Sequence, residues 1–229
     1  LMPMVVCGIL FASDIAVWNI SIQNSSATQA TLLTNLSPIW VGVISFAFLN
    51  YRPKQSFWLG TLIAVVGMVV FIGPETILTL KLDQAFFLGI LSGVLYALYI
   101  LFSKNILEKV EVITFISYSM LFSTIFLLLI NVFFGVQFFG FSGKAWISLL
   151  VQGIFCQLIA WLLISYATKN MRATRVSLSL LSQAIFAMIL AAIFINEKIS
   201  AIQILGSIII LAGIATTFYE RKKTVAKEI

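Results

Sequence analysis

Eight apolar stretches, each about as long as the hydrocarbon core of a bilayer is thick, occupy almost the whole chain. A transmembrane helix needs roughly 20 apolar residues, and connections of ten residues or fewer separate the stretches. Helices satisfy their own backbone hydrogen bonds in lipid, whereas a β-barrel requires alternating segments of about ten residues. We therefore predict an all-α, polytopic bundle of eight transmembrane helices, over residues 3–21, 27–49, 56–73, 84–103, 112–134, 145–168, 173–195 and 199–219.

The composition excludes an ordinary soluble domain and several kinds of chemistry. Hydrophobic residues make up 61% of the 229 residues and charged residues only 10%, against about a quarter charged in soluble proteins. The chain contains no histidine, which excludes histidine metal ligands, histidine proton shuttles and serine–histidine triads. The sequence also contains no phosphate-binding loop, nucleophile elbow or metal-ligating cluster. We predict a protein that is not an enzyme, with no catalytic residue, metal site or cofactor.

Lysine and arginine residues are distributed unequally between alternate connections. The second, fourth and sixth connections, with the adjoining helix ends and the C-terminal tail, carry 11 of the 14, and the remaining connections carry 3. Basic residues concentrate on the cytoplasmic side of membrane proteins. We therefore predict that both ends of the chain are cytoplasmic, with a basic tail over residues 220–229. The net charge of +6 then reports orientation rather than a nucleic-acid partner.

Two segments of the chain resemble each other without gaps at an offset of 146 residues. Residues 24–67 align with residues 170–213, so the second and third helices match the seventh and eighth. The aligned identities include Asn24/Asn170, Thr28/Thr174, Gly60/Gly206 and Gly67/Gly213. Because the copies lie five helices apart, an odd number, they run in opposite directions across the membrane. Inverted repeats are typical of secondary transporters with a substrate site near the midplane.

The two predicted repeats contain unequal numbers of helices. The first repeat, residues 1–73, holds three helices, whereas the second, residues 84–219, holds five. A symmetric arrangement of five plus five would place two further helices before Leu1; otherwise the chain is a shortened relative of such a protein. An even number of additional helices leaves the predicted orientation unchanged.

Short polar and glycine motifs stand in both repeats, in residues 24–39 and from Asn196 to Gly213. They resemble those of the EamA family in the drug/metabolite transporter superfamily. Residues 24–39, which read NSSATQATLLTNLSPI, resemble the fourth helix of that family. The second repeat continues with Asn196-Glu197-Lys198, Gly206 and Gly213, similar to the family's acidic hairpin and Gly-x6-Gly helix. The resemblance covers almost the whole chain, as the family's helices three to ten. It implies a ten-helix inner-membrane carrier that exports or exchanges small metabolites.

Three departures from the family pattern concern the detailed site rather than the class of protein. The second repeat has Gln183-Ala184 where the family often has an acidic residue and a proline. The first hairpin has Tyr51-Arg52 in place of the usual glutamate. The first two helices of the family have no counterpart in these 229 residues.

Asp14 is the only acidic residue well inside an apolar stretch. A charged side chain near the membrane centre costs on the order of 2.5 to 3.5 kcal/mol on insertion scales, so such residues usually line a cavity. Asp14 is a candidate proton carrier and equally a candidate ligand for a substrate amine; the alternative is a structural hydrogen bond to a neighbouring helix. Trp18 lies one turn further on the same face, where it can stack on a substrate or anchor at the interface.

A polar stripe runs along the second helix, where Thr28, Thr31, Asn35 and Pro38 share one face. Pro38 lacks an N–H group, which leaves the carbonyl of Thr34 without its helical partner. A freed carbonyl in lipid needs a cavity or a neighbouring group. We therefore predict a kink beside Asn35, where Thr31, Asn35 and Pro38 line the substrate site or form a hinge; the alternative is plain packing between helices.

Three later helices contribute further polar and aromatic candidates. The tyrosines belong to a hydroxyl-bearing face of the fourth helix that begins at Ser92, and the others lie on the sixth and seventh helices. Neutral polar side chains in membranes bond to other helices about as often as they contact substrate, so both interpretations stand. The candidate side chains are Tyr96, Tyr99, Gln157, Trp161 and Gln183.

These features predict a secondary transporter that works by alternating access around a midplane cavity. Its partners would be the lipid bilayer, protons if transport is coupled, and a small organic substrate such as an amino acid, a nucleobase-like compound or an amphiphilic cation. Two alternatives are an integral-membrane receptor or scaffold, which does not require inverted symmetry, and a lipid-acting membrane enzyme. Such an enzyme should show several acids or histidines near one interface, and the sequence contains no such cluster.

Overall fold

The computed structural model describes residues 1–48, 52–73, 82–194, 196 and 198–218; the predicted basic tail, residues 220–229, lies outside the described residues. Within this part of the chain, eight helical spans are long and apolar enough to cross a membrane, and no strand occurs. The predicted all-α polytopic bundle is confirmed. Spans 1 to 8 are, in chain order, Met2–Asn24, Thr28–Phe48, Gln55–Ile72, Gln84–Leu107, Val112–Phe133, Gly143–Asn170, Ala173–Phe194 and Ala201–Phe218.

Spans 2, 6 and 7 are interrupted between their ends. Span 2 consists of two helices, span 6 contains a π-helical segment, and span 7 contains a 3-10 turn. Irregular segments inside transmembrane helices often mark functional positions. The pieces are Ala27–Thr34 and Ser37–Phe48 in span 2; Gly143–Val151, Gln152–Ile159 and Ala160–Asn170 in span 6; and Ala173–Ser179, Leu180–Ser182 and Gln183–Phe194 in span 7.

The interruption of span 2 follows from Pro38. Because proline has no N–H group, the carbonyl of Thr34 cannot accept the usual helical hydrogen bond. The chain tightens just before the proline, where the N–H of Leu36 donates to the carbonyl of Leu33 at 3.2 Å. The sequence therefore predicts the position of this break correctly.

The interruption of span 7 occurs without a proline. The hydroxyl of Ser182 donates to the carbonyl of Ser179 at 2.8 Å, a local bond that competes with the helical ladder. At the offset of 146 residues, Leu181 in this turn corresponds to Asn35 at the break of span 2. Both spans are therefore broken at corresponding positions of the predicted repeat.

Spans 3 and 8 pack backbone to backbone along four glycines, which form the glycine seam. A Cβ added at Gly206 would lie 2.5 Å from the Cα of Phe71, and one added at Gly213 would lie 2.7 Å from the carbonyl oxygen of Gly60. Gly67 approaches span 8 as closely. Small residues let transmembrane helices meet at short distance, where van der Waals contact holds them together.

A second contact region joins span 1 to spans 4 and 5, and span 2 to span 4. It contains a buried apolar cluster that includes Phe11, Val41, Ile100, Leu101 and Phe115. Parts of spans 6 and 7 do not contribute to this buried core, because no residue of 143–159 or 183–194 is buried. The exposed side chains of these stretches are mainly large and apolar, as suits a surface in contact with lipid chains.

Candidate functional site

A cavity of about 430 Å³ lies among spans 1, 2, 4, 6 and 7, beside the breaks of spans 2 and 7. The structure brings seven of the ten predicted site residues to its wall. Of the described residues that line it, one is acidic and none is basic. The lining residues are Asp14, Ile15, Trp18, Thr31, Thr34, Asn35, Tyr96, Trp161, Gln183, Ala184 and Ala187.

Asp14 lies in span 1 and is hydrogen-bonded to span 4. Its side chain is 7% exposed, and its Oδ1 accepts a hydrogen bond of 2.6 Å from the hydroxyl of Ser92. Ser92 Oγ lies 3.0 Å from Thr34 Oγ1 in span 2, and Thr34 Oγ1 donates to the carbonyl of Ala30 at 3.0 Å. These four residues form the hydroxyl chain, which links the carboxyl to the backbone of span 2.

The hydroxyl chain contains two groups whose contacts the sequence did not indicate. Ser92 belongs to the predicted hydroxyl-bearing face, but nothing in the sequence placed it against Asp14. The side chain of Thr34 was not among the predicted site residues, although Pro38 drew attention to its carbonyl. A hydroxyl side chain one turn before a proline in a transmembrane helix is the sequence signal that identifies Thr34 as a candidate.

An amide hydrogen bond joins the breaks of spans 2 and 7. The Nε2 of Gln183 donates to the Oδ1 of Asn35 at 2.7 Å. Asn35, 8% exposed, directly follows the first helix of span 2, whereas Gln183 begins the last helix of span 7. This amide bridge fixes the relative position of the two interruptions at the cavity wall.

Aromatic rings form one side of the cavity. Trp161 meets Tyr96 edge to face at a centroid distance of 6.1 Å and packs against Phe11 at 4.6 Å. Trp18, half-buried, lines the wall from span 1. The faces of such rings attract cations and also stack on flat organic groups. The wall therefore combines one carboxyl with amides, hydroxyls and aromatic surfaces.

Three predicted site residues lie away from the cavity wall. Pro38 is fully buried in span 2. Tyr99 is 2% exposed and packs against Trp161 at a centroid distance of 5.5 Å. Gln157 is half-buried in the π-helical segment, about one turn before Trp161. Roles for these three residues in transport stay predictions.

A smaller space of about 280 Å³ continues the cavity towards one end of the bundle. It shares Thr31, Asn35 and Ala184 with the main cavity. It then extends to Thr28, near the start of span 2, and to Ile72, at the end of span 3. The described residues contain no group of three or more cysteines, aspartates and glutamates suited to hold a metal ion.

The fold and the cavity define a multi-pass membrane protein with a mixed polar and aromatic cavity between its helices. The EamA-like transporter family matches residues 1–73 and 84–219, and the chain belongs to this family. The chain is a membrane transporter. The similar proteins described in the next paragraph are also named as transporters.

Several transporters are similar to the chain over most of its length. The uncharacterized transporter YdfC of Bacillus subtilis (strain 168) is 23% identical over 205 residues, which cover 90% of this chain and 67% of that protein. An uncharacterized transporter of Archaeoglobus fulgidus is 25% identical over 201 residues, covering 86% and 69%. A solved crystal structure of 18% sequence identity superposes with a TM-score of 0.79, covering 98% of this chain and 78% of its own. That likeness shows the fold.

Proposed function

We propose that the chain is a secondary transporter that moves a small organic metabolite by alternating access and has no catalytic activity. The observation that carries the proposal is the cavity of about 430 Å³ among five spans, which joins one carboxyl, two amides and three aromatic side chains. Binding sites for small molecules are mostly apolar, with a few polar groups that fix orientation. A chamber of this kind within a transporter fold is where cargo is expected to bind.

The chemistry of the wall favours a cargo that carries an amine. Asp14 is the acidic residue of the wall, and no lysine or arginine stands among its described residues. The rings of Trp18, Tyr96 and Trp161 add surfaces that attract cations or stack on flat groups. Amphiphilic cations, amino acids and amine-bearing nucleobase-like compounds all fit this description, whereas cargoes that are purely anionic do not.

The hydroxyl chain supports a coupling between Asp14 and span 2. Ser92 donates to Asp14 at 2.6 Å, and Thr34, which donates to the carbonyl of Ala30, lies 3.0 Å from Ser92. A change of charge at Asp14, by release of a proton or by binding of a cargo amine, alters the acceptor of the Ser92 hydroxyl. Such a change at Asp14 would thereby be coupled to movement of span 2.

The breaks of spans 2 and 7 supply the moving parts of the proposed cycle. Discontinuous helices at the interface of inverted repeats recur at the substrate sites of secondary transporters. Here the amide bridge of 2.7 Å between Asn35 and Gln183 connects the two breaks. A cargo with its own donor and acceptor can replace this bond, so cargo binding would free span 2 to move relative to span 7.

We further propose that the chain lies in the inner (plasma) membrane with both ends in the cytoplasm. The division of basic residues, 11 against 3, supports this orientation. The main cavity and its extension of about 280 Å³ then continue towards the outer face, because span 2 begins and span 3 ends there.

The test uses the purified chain in proteoliposomes with a panel of radiolabelled amines, amino acids and nucleobases. We expect wild type to accumulate at least one amine-bearing member when a pH gradient is imposed. Asp14→Asn, which keeps the size of the side chain but cannot exchange a proton, should lose gradient-driven accumulation. If Asp14 acts only as the proton carrier, exchange of labelled for unlabelled cargo should persist in this variant; if it binds the amine, exchange is lost as well.

Glu111→Gln is the matched control, since Glu111 is an exposed acid at the start of span 5 without a side-chain cap bond. It should transport like wild type. Gradient-driven accumulation that is unchanged in Asp14→Asn would exclude Asp14 as the proton carrier. Failure of wild type to accumulate or exchange any member of the panel would contradict the proposed cargo class.

A further inference from the structure

Three buried hydroxyl groups face one another close to the aromatic wall of the main cavity. Tyr99 lies in span 4, Ser119 in span 5 and Ser165 in span 6, and each is at most 3% exposed. The hydroxyls of both serines lie beside that of Tyr99. Because the three residues come from different spans, the fold brings them together rather than a local pattern of the sequence. They form the serine–tyrosine cluster.

Two hydroxyls of this cluster lack a hydrogen-bond partner among the described residues. Neither Tyr99 nor Ser119 has a neighbour with both the distance and the angle of a hydrogen bond, although the two hydroxyls interact. The thiol of Cys7, in span 1, also lies beside Tyr99, but a thiol is a weak donor and a weak acceptor. Buried hydroxyls without a partner are rare in native proteins, because nothing then compensates for their removal from water.

Aromatic rings separate the serine–tyrosine cluster from the main cavity and from lipid. The ring of Trp161, in the cavity wall, packs against that of Tyr99 at a centroid distance of 5.5 Å. The ring of Phe115, fully buried, lies 6.5 Å from that of Tyr99. Lipid chains offer no hydrogen bonds, so a partner for the two hydroxyls must be held inside the protein.

We propose that Tyr99, Ser119 and Ser165 bind one internal water molecule, which joins span 6 to spans 4 and 5. Buried waters typically make about three hydrogen bonds to polar groups that otherwise lack partners. A single water can therefore serve both unpartnered hydroxyls and reach the third. The bridge would hold the last helix of span 6, and with it Trp161, against spans 4 and 5. This inference does not depend on the cargo of the main cavity.

The test is hydroxyl-radical labelling of the purified full chain in detergent by a brief X-ray pulse, read by mass spectrometry. Irradiation splits water into hydroxyl radicals, which oxidise the side chains beside each water molecule. A side chain that bulk water does not reach is labelled where an internal water contacts it. We expect Tyr99 to be labelled in wild type, as Tyr96 in the cavity wall should be, whereas the neighbouring Phe115 stays unlabelled.

Removal of two of the three hydroxyls should release the water. Ser119→Ala combined with Ser165→Ala is expected to lower the labelling rate of Tyr99 at least about fivefold, because a buried water needs two or more polar partners. The single variant Ser119→Ala, whose folding is less at risk, should lower that rate by a smaller factor. Labelling of Tyr96 should stay at the wild-type rate in both variants, which shows that the cavity wall is intact.

Ser123→Ala is the matched control, because Ser123 is a buried serine one turn further along span 5 that is not among the groups beside the Tyr99 hydroxyl. It should label like wild type. The comparison of Tyr99 with Phe115 in wild type needs no variant, and background labelling of both would overturn the proposal. Equal labelling of Tyr99 in wild type and in the double variant would also overturn it, since the water would then not depend on the two serines.

Discussion

Adding one methyl group in the glycine seam, by Gly206→Ala, tests whether spans 3 and 8 are held by close backbone contact. The new Cβ would lie 2.5 Å from both the N and the Cα of Phe71 and 2.6 Å from its Cβ. Ordinary contacts of this kind are 3.4–4 Å, so the helices must part by about 1 Å at this level. Backbone atoms cannot rotate away as a flexible side chain would.

The expected magnitude follows from two opposing effects. Overpacking of a closely packed site costs about 1–3 kcal/mol, and contact with backbone places Gly206→Ala near the upper end. The higher helix propensity of alanine returns about 1 kcal/mol. The net loss of unfolding free energy is therefore about 2 kcal/mol.

Gly153→Ala provides the matched control, because a Cβ at Gly153 meets nothing within 4 Å. This variant keeps the benefit in propensity without the clash, so the two variants should differ by about 3 kcal/mol. For a chain of this length that corresponds to roughly 6–12 °C in melting temperature. Thermal unfolding followed by tryptophan fluorescence in detergent measures it. Melting temperatures of the two variants within about 2 °C of each other would refute the backbone contact.

Two further predictions concern the breaks beside the cavity. Gln183→Leu removes the donor of the amide bridge and leaves the buried Oδ1 of Asn35 without this hydrogen bond. We expect the free energy of unfolding, measured by thermal unfolding, to fall by about 1–3 kcal/mol and to be partly restored in the double variant with Asn35→Leu. Strict additivity of the two changes would show that the bridge contributes nothing. Pro38→Ala returns a donor to the carbonyl of Thr34; the variant should exchange cargo several-fold more slowly than wild type without losing stability, and unchanged exchange would argue against a hinge at this break.

Much of the fold could be predicted because the length of an apolar run is a local property of the sequence. The sequence signal for the break of span 2 is equally local, since Pro38 removes a specific hydrogen bond. The turn at Leu180–Ser182 had no such signal, because serines occur in unbroken helices as well. Its position became apparent only from the packing of the folded chain. The same holds for the π-helical segment Gln152–Ile159.

The candidate site was predictable to the extent that polar groups in lipid must face the interior of a bundle. That rule places Asp14 and Asn35 at a cavity, but it does not say which partner each one meets. The bond from Ser92 to Asp14 depends on how span 4 is rotated against spans 1 and 2. Close approach sets that rotation, as at Gly93, where an added Cβ would lie 3.2 Å from the carbonyl of Leu33. Such contacts join residues far apart in the sequence.

The buried apolar cluster that contains Val41, Leu101 and Ala173 has an electrical consequence, because it lies between the main cavity and a second cavity of about 420 Å³ near the end of span 4. Where water enters a membrane protein from both faces, the transmembrane potential falls mainly across the part that water does not reach. Here the buried apolar cluster lies along span 4 between Tyr96, in the wall of the main cavity, and Lys104, eight residues or about 12 Å further on. A cargo with one net charge that crosses this cluster would gain or lose about 2.3 kcal/mol per 100 mV. The voltage dependence of the proposed cycle would therefore arise in one short step, around Val41, Leu101 and Ala173.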